Sequence, residues 1–272
     1  MSFSGADLKP AFRLSRNSIN MLVQMLPRQK AHGWSHEIEV LVTVYLLACG
    51  ASYRAIHFRR TEEVEEVGAG FVRFAGHETS RCAASAIDGG ALGEHRGDFV
   101  NRKSFHSINV QMTCDHQLMV TSVEAKWPGL VHDSRIFQES SLGHRFEQGH
   151  YDGLLLGDRG YPCTRFLMTP YPDPQTPPER CFNVALSKCR VRIEMTFEVI
   201  KSRFNCLRGL RVSPERACQI TTACMVLHNI ATMRKERAPH VPLVAPDIVD
   251  PITPDHPTGA AIRQAITNQF FM

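Results

Sequence analysis

The sequence predicts a mixed α/β fold, with a mixed sheet flanked by helices and a small helical segment at the N-terminus. Three observations support this prediction. Short runs of alternating or continuously apolar residues in the middle of the chain are typical of strands. Apolar residues spaced three and four positions apart, on both sides of that region, are typical of helices. The chain has 272 residues, 43% of them hydrophobic, which is enough for one substantial core.

Residues 1–60 predict an N-terminal helical region. Residues 12–30 carry apolar side chains at helical spacing, with Ser15 or Asn17 as a candidate cap. Residues 36–49 predict a second helix, for which Ser35 is a candidate N-cap. The apolar run in this second helix is about ten residues long, half of what a membrane span needs. The first ten residues also lack the apolar stretch of a secretory signal, so we expect no membrane segment.

The middle of the chain predicts four short strands. Residues 83–88 form a small apolar run that ends in Asp-Gly-Gly. Residues 107–114 alternate and residues 118–125 are extended, with a hairpin connection at 115–117. Residues 153–158 form a short apolar strand that ends in Gly-Asp. The sheet is therefore expected to be built from these segments.

The C-terminal half predicts two helices and a tail. Residues 187–207 form a long amphipathic helix, and residues 214–234 form a second helix. Six prolines lie within residues 238–257, which predicts an extended linker or tail. We therefore predict a central domain over residues 61–235 and a proline-rich tail over residues 236–272. The apolar stripe of the long helix consists of Ile193, Phe197, Ile200, Phe204 and Leu207.

Charge and cysteine usage narrow the function classes. The net charge is only +4, but the segment from Lys188 to Arg211 holds seven basic residues against two acidic ones. Such clustering is expected for a protein that binds nucleic acid, although a solvated helix face gives the same pattern. The nine cysteines contain no C-x-x-C pair, which favours reduced thiols in a cytosolic or nuclear protein.

Three carboxylates are candidates for metal ligands. Asp88 and Asp158 each end a predicted strand, and Glu194 borders the apolar stripe of the long helix. Each alone has an ordinary explanation, as a turn former or as a surface charge on a helix. Together they suggest a site for Mg²⁺ or Mn²⁺, because hard cations prefer carboxylate oxygens and serve phosphodiester hydrolysis in pairs about 4 Å apart.

The region from residue 87 to about residue 233 resembles the DDE domain of Harbinger transposases and of the nucleases derived from them. The order and spacing of Asp88, Asp158 and Glu194 agree with that family. The segments that carry the resemblance are IDGG (87–90), FVNRKSFHSINVQMTCDHQ (99–117), WPGLVHDSRIF (127–137), LLGDRGYP (155–162), TPY (169–171) and CRVRIEMTFEVIKSRFNCLRGL (189–210).

The resemblance implies a ribonuclease-H-like fold, with Asp88 on the first strand, Asp158 on the fourth and Glu194 on a following helix. These three residues would be catalytic and, with Asp133, would bind Mg²⁺ or Mn²⁺. From the residues alone, the segment around Asp133 is equally a turn and helix cap. The family also implies DNA as substrate, a Myb-like DNA-binding partner, and a location in nucleus and cytoplasm. Basic residues expected to contact nucleic acid are Arg102, Lys103, Arg190, Lys201 and Arg203.

The chain departs from the family pattern at several places. Relatives continue after the second helix through a helix-turn-helix-like segment, whereas here the chain passes from residues 56–60 directly to an acidic stretch at Thr61. The N-terminal region therefore resembles a truncated helix-turn-helix module. Arg159 stands where a serine is usual, and Glu198 where a glycine is common.

Three functions are compatible with these features. The first is a metal-dependent nuclease that hydrolyses DNA by a two-metal mechanism. The second is a catalytically inactive, domesticated transposase that acts as a nucleic-acid or protein binding module. Glycoside hydrolysis by paired carboxylates is the third, but it leaves the basic helix unexplained and the chain has only two tryptophans for sugar stacking.

Overall fold

The computed structural model is a mixed α/β structure, as the sequence predicts. It describes residues 11–26, 35–50, 78–80, 85–86, 99, 106–129, 131–210, 212–239 and 253–272. The described helices are α1 (Arg16–Met25), α2 (His36–Cys49), α3 (Asp133–Gln138), α4 (Ser141–Glu147), α5 (Pro177–Arg203), α6 (Pro214–Met233) and α7 (Pro257–Phe270), and a 3-10 turn covers Asn205–Arg208. The described strands are β1 (Glu78–Ser80), β2 (Ser85–Ala86), β3 (Ser107–Cys114), β4 (Val120–Pro128), β5 (Leu155–Leu156) and β6 (Leu167–Met168).

The strand β3 is the centre of the larger sheet. It pairs with β4 along one edge through the predicted hairpin, and with β1 and β2 along the other edge, always antiparallel. Ser80 lies opposite Met112 and Ser85 opposite Ile108, so β1 and β2 follow one another along the same edge. The strands β5 and β6 form a separate parallel pair, and β5 lies beside β1.

Both faces of β3 are buried, whereas the alternating pattern predicts burial of the apolar face only. Its apolar residues point into the main core, as expected. Its polar residues are also buried, since the opposite face is covered by the segment around α3. Asn109 donates to the Val131 carbonyl at 3.0 Å, and Gln111 donates to the Tyr161 hydroxyl at 2.9 Å. The polar face of β3 therefore supports loops that carry candidate site residues.

The N-terminal helices share one core with the sheet and with α5 and α6. The helix α2 has the predicted bounds, and the Ser35 hydroxyl accepts from the Ile38 N–H as its cap. The helix α1 is shorter than predicted, because Leu26 is already extended. Core residues that join these elements include Leu22, Val44, Leu47, Ile108, Val110, Ile193, Phe197, Ile200, Leu227 and Ile230.

The helix α5 begins ten residues earlier than predicted. Prolines 177 and 178 occupy its first turn, where the backbone N–H groups have no helical partner to lose. Thr176 caps the helix, and Glu179 returns a hydrogen bond to the Thr176 backbone, which completes a capping box. Two consecutive prolines thus start the longest of the described helices.

The prediction of a tail over residues 236–272 is wrong at its C-terminal end. Residues 257–270 form α7, which packs on β6 and α5. Its inner side contributes Ile262 and Ile266 to a cluster around Phe182 and Leu186. Sequence periodicity is weak in this short helix, and its burial depends on contacts with distant residues.

Two consecutive side chains of α6 fix this helix to the hairpin. Asn229 exchanges two hydrogen bonds of 2.8 Å with the backbone of Val120, and so acts as a strand partner for it. The ring Nε2 of His228 lies 2.8 Å from the Leu118 carbonyl. Burial lowers the pKa of His228 to about 4, with a contribution from the nearby Arg203 charge.

None of the described helices is long and apolar enough to cross a membrane.

Candidate metal centre

Asp158 is held in a tight turn after β5. Its side chain is buried, with 6% of the residue exposed, and one carboxylate oxygen accepts from the Gly160 N–H at 3.0 Å. The Asp158 carbonyl accepts from the Tyr161 N–H at 3.3 Å. Hydrogen bonds within the turn itself therefore orient the Asp158 carboxylate.

Arg190 brings Asp158 and Glu194 together. Its Nη2 atom lies 3.3 Å from Oδ2 of Asp158 and 3.6 Å from Oε1 of Glu194. Because both distances start at one nitrogen, the two carboxylate oxygens are at most 6.9 Å apart, which is 3.3 Å plus 3.6 Å. A single positive charge thus compensates two negative side chains that are 36 positions apart in the sequence (194 − 158).

The helix α5 positions Arg190 and Glu194 on one face, one turn apart. Neighbouring Ile193 and Phe197 are buried in the core and fix the rotation of the helix. The Glu194 side chain remains 30% exposed, whereas Arg190 is 15% exposed. The buried Nε of Arg190 has no hydrogen-bond partner in the described part of the chain. This polar face of α5 therefore lies at the edge of the core, and solvent reaches it on the side of Glu194.

Asp133 occupies the first turn of α3, where His132 is the N-cap. Its Oδ1 atom lies 3.5 Å from the Asn109 amide nitrogen, and its backbone carbonyl accepts from Gln111 at 3.4 Å. Gln111 also donates to Tyr161, so α3 is linked to the turn that carries Asp158. Within the described ranges, however, no group of three His, Cys, Asp or Glu side chains is placed to hold one metal ion. The role of Asp133 as a ligand stays a prediction.

Three predicted site residues, Asp88, Arg102 and Lys103, lie outside the described residues. In sequence, Asp88 follows two positions after Ala86, which pairs with Ser107 at the start of β3. Their roles also stay predictions.

The prediction for Arg203 is corrected by its position. This residue is 2% exposed, and its guanidinium donates to the Arg13 carbonyl at 3.1 Å. It lies seven residues after buried Thr196, so helical spacing turns it inward, where burial lowers its pKa. A phosphate cannot reach it there. Lys201 is 24% exposed and lies 3.6 Å from Glu198, so its role in nucleic-acid binding stays a prediction.

Sequence reasoning missed the residues that support the site. Asn109, Gln111 and Tyr161 are buried and link α3 to the Asp158 turn. A signal for the first two was present, since polar side chains alternate with apolar ones along β3. That alternation is equally typical of a solvent-facing side, and only the position of α3 distinguishes the two.

The described side chains fit a hard divalent cation as donors. Asp158 and Glu194 offer carboxylate oxygens, which Mg²⁺ and Mn²⁺ prefer. Their distance bound of 6.9 Å is compatible with one cation, or a close pair of cations, between them. The guanidinium of Arg190 compensates the negative charge of both carboxylates at this point.

The site therefore combines a strand-end aspartate and a helical glutamate, which share one arginine partner. The family model described as "DDE superfamily endonuclease" matches residues 82–229, more than half of the chain. The chain therefore belongs to this family, and its relatives support the Harbinger transposase-derived group that the motifs predicted.

Several curated relatives carry a nuclease name. The chain is 45% identical over 138 residues to the Homo sapiens protein "Putative nuclease HARBI1", and 44% identical to the Bos taurus protein of that name. Each match covers 49% of this chain and 40% of the relative, so the chain spans less than half of their length. It is also 27% identical over 141 residues to the Arabidopsis thaliana "Protein ALP1-like", covering 46% of this chain and 35% of that protein. No solved structure matches the chain significantly.

Proposed function

We propose that the protein is a divalent-metal-dependent nuclease that hydrolyses DNA phosphodiester bonds. The observation that carries the proposal is the convergence of Asp158 and Glu194 on one guanidinium, in a chain of the DDE endonuclease family. The strand order supports the ribonuclease-H-like arrangement. If β1 and β2 count as one interrupted strand, β5 is the fourth, and Asp158 follows it as the resemblance implies.

The chain's own residues supply the anionic cradle of this site. Bound Mg²⁺ or Mn²⁺ would neutralise charge that develops on the phosphate and would make a water more acidic. The Gly160 N–H orients the Asp158 carboxylate, and α5 holds Glu194 on the more exposed side. The guanidinium of Arg190 keeps the two carboxylates together and lies within reach of a phosphate oxygen bound beside them.

Duplex DNA is proposed as the substrate on the charge of α5 and the turn that follows it. Lys188 is exposed, Arg208 is 51% exposed and Lys201 is partly exposed, so these cations can contact a backbone without sequence preference. Asp88, Asp133, Arg102 and Lys103 complete the proposed site. A Myb-like DNA-binding partner and a location in nucleus and cytoplasm are further parts of the proposal.

One feature favours a second candidate function. Because Arg190 compensates Asp158 and Glu194, the acidic pair is tolerable without a metal. The fold can therefore persist as a binding module after catalysis is lost, as the shortened N-terminal region also suggests.

A cleavage assay separates the two candidates. Purified protein is incubated with supercoiled and linear duplex DNA in Mn²⁺, Mg²⁺ or EDTA, beside the variant Asp158→Asn and the matched control Glu198→Gln. Glu198 lies one turn beyond Glu194 on α5, and its side chain is similarly exposed, at 28% against 30%. We expect metal-dependent nicking by the wild type and Glu198→Gln, and at least a roughly hundredfold loss for Asp158→Asn. Equal cleavage by wild type and Asp158→Asn, or cleavage by neither, refutes the nuclease and favours the binding module.

A further inference from the structure

The segment 253–272 binds the loop that carries Asp158. Asp255 is the centre of the contact, because its two carboxylate oxygens pair with two different arginines. Oδ1 lies 3.1 Å from Nη1 of Arg159, and Oδ2 lies 2.6 Å from Nη2 of Arg263. All three side chains are largely buried, with exposures of 17%, 15% and 4% in the order named. Ion pairs with this degree of burial and two partners have a defined geometry, unlike isolated surface pairs.

Arg263 extends this contact to the segment that follows β6. Its Nη1 atom donates to the carbonyls of Thr169 and Pro170, at 3.0 Å and 3.2 Å. Its guanidinium lies 4.2 Å from the centre of the Tyr171 ring. Arg159 donates to the same Pro170 carbonyl at 2.9 Å. The two arginines therefore tie the loop at 159 to the segment at 169–171 through one acceptor.

Backbone contacts run alongside the ion pairs. The His256 N–H donates to the Cys163 carbonyl at 2.9 Å, and the Thr253 N–H donates to the Arg159 carbonyl at 3.3 Å. The Thr253 hydroxyl donates to the Gly160 carbonyl at 3.2 Å. A Cβ atom on Gly259 would lie 2.3 Å from the Cys163 carbonyl oxygen, so only glycine allows α7 to approach this closely.

We propose that the segment 253–272 is a clamp that positions Asp158 for cation binding, with Asp255 as its central positioning residue. This inference rests on the proposed function. Arg159 directly follows Asp158, and the Gly160 N–H that orients the Asp158 carboxylate belongs to the residue whose carbonyl Thr253 binds. Loss of the clamp therefore frees the donor that sets the carboxylate direction.

Two sequence features agree with the clamp. The segment lies beyond residues 82–229, which match the family model. Arg159 directly follows Asp158 in the sequence, and its guanidinium pairs with the Asp255 carboxylate of this segment. The clamp thus explains why an arginine next to the site is tolerated without adding a free positive charge there.

Asp255→Asn and Gly259→Ala test the clamp by different routes, one through charge and one through steric displacement of α7. Asp173→Asn is the matched control, because it removes the same charge from an exposed loop position. Amide hydrogen exchange is followed at residues 158–163 and in β3, and the Mn²⁺ dissociation constant is measured by electron paramagnetic resonance. We expect roughly tenfold faster exchange at residues 158–163 in both variants, with β3 and the control unchanged. Mn²⁺ binding should weaken about 10-fold or more.

Unchanged exchange at residues 158–163 in both variants would overturn the clamp. Unchanged Mn²⁺ affinity alongside faster exchange would overturn the positioning role and leave a purely structural contact. A wild-type protein that binds no Mn²⁺ would instead refute the proposed function, and the exchange rates would still decide whether the segment holds the loop.

Discussion

Replacing Arg190 with methionine should lower the free energy of unfolding by about 3 kcal/mol in metal-free buffer. The substitution leaves buried Asp158 and half-buried Glu194 without the guanidinium that both contact. Removing one partner of a buried ion pair costs more than the pair contributes, because the remaining charge stays desolvated. Methionine retains the apolar stem of arginine and ends near the position of Nε, so packing along the stem changes little.

Mn²⁺ should reverse much of this loss. A cation between Asp158 and Glu194 replaces the missing positive charge, and at a concentration of 100 times its dissociation constant it adds about 2.7 kcal/mol. Urea unfolding with and without Mn²⁺ measures both effects. Arg192→Met is the control, because Arg192 lies on the same helix and is exposed. In the described part of the chain, its guanidinium donates only to the His116 carbonyl. Equal losses for the two variants, or no rescue of Arg190→Met by Mn²⁺, would contradict this account of the site.

Acid should destabilise the protein through His228 by roughly 2 to 3 kcal/mol between pH 7.5 and pH 4.5. Burial holds the pKa of this histidine at about 4 in the folded protein, against 6.5 as its ordinary value. Below pH 6.5, His228 is therefore protonated in the unfolded chain, whereas in the folded protein it stays neutral until the pH approaches 4. The contribution of His228 to the free energy of unfolding is fully present above pH 6.5 and decreases as the pH falls. Below pH 4 it decreases no further.

His228→Gln isolates this contribution from that of the carboxylates. A glutamine amide can still donate to the Leu118 carbonyl, which lies 2.8 Å from His228 Nε2, but it does not titrate. Urea unfolding at several pH values should give a flatter curve for the variant between pH 7.5 and pH 4.5. His144→Gln is the control, because His144 lies on α4 and is exposed. Parallel pH curves for wild type and His228→Gln would refute the assignment.

The sequence predicted the elements whose signals are local. Helix α2, strand β3 and the hairpin to β4 have bounds close to those expected, since capping and alternation act over a few residues. Asp158 and Glu194 were recognisable as a pair because each stands where a solvated charge is unusual, at a strand end and at the edge of an apolar stripe. The structure brings them together; their role in catalysis stays a prediction.

The errors occur where the position of a residue or helix depends on contacts with residues far away in the sequence. A basic stripe on α5 is uniform in sequence, but Arg203 is turned inward by its helical position and is bound by the Arg13 carbonyl. The helix α7 follows a proline-rich stretch, and its docking depends on Asp255 and Gly259 meeting a loop almost 100 residues away. Neither partner can be identified from local pattern, because the ion pair and the close approach exist only in the folded chain.

The most direct test of the central claim is Mn²⁺ binding by the wild type, Asp158→Asn, Glu194→Gln and the control Glu198→Gln, measured by calorimetry on folded protein. If Asp158 and Glu194 share a cation, each of their variants should weaken Mn²⁺ binding by at least roughly tenfold. Glu198→Gln should bind as the wild type does, since Glu198 pairs with Lys201 and Arg208 instead. Wild-type affinity in both site variants, or an equal loss in all three, would show that these two carboxylates do not form a metal centre.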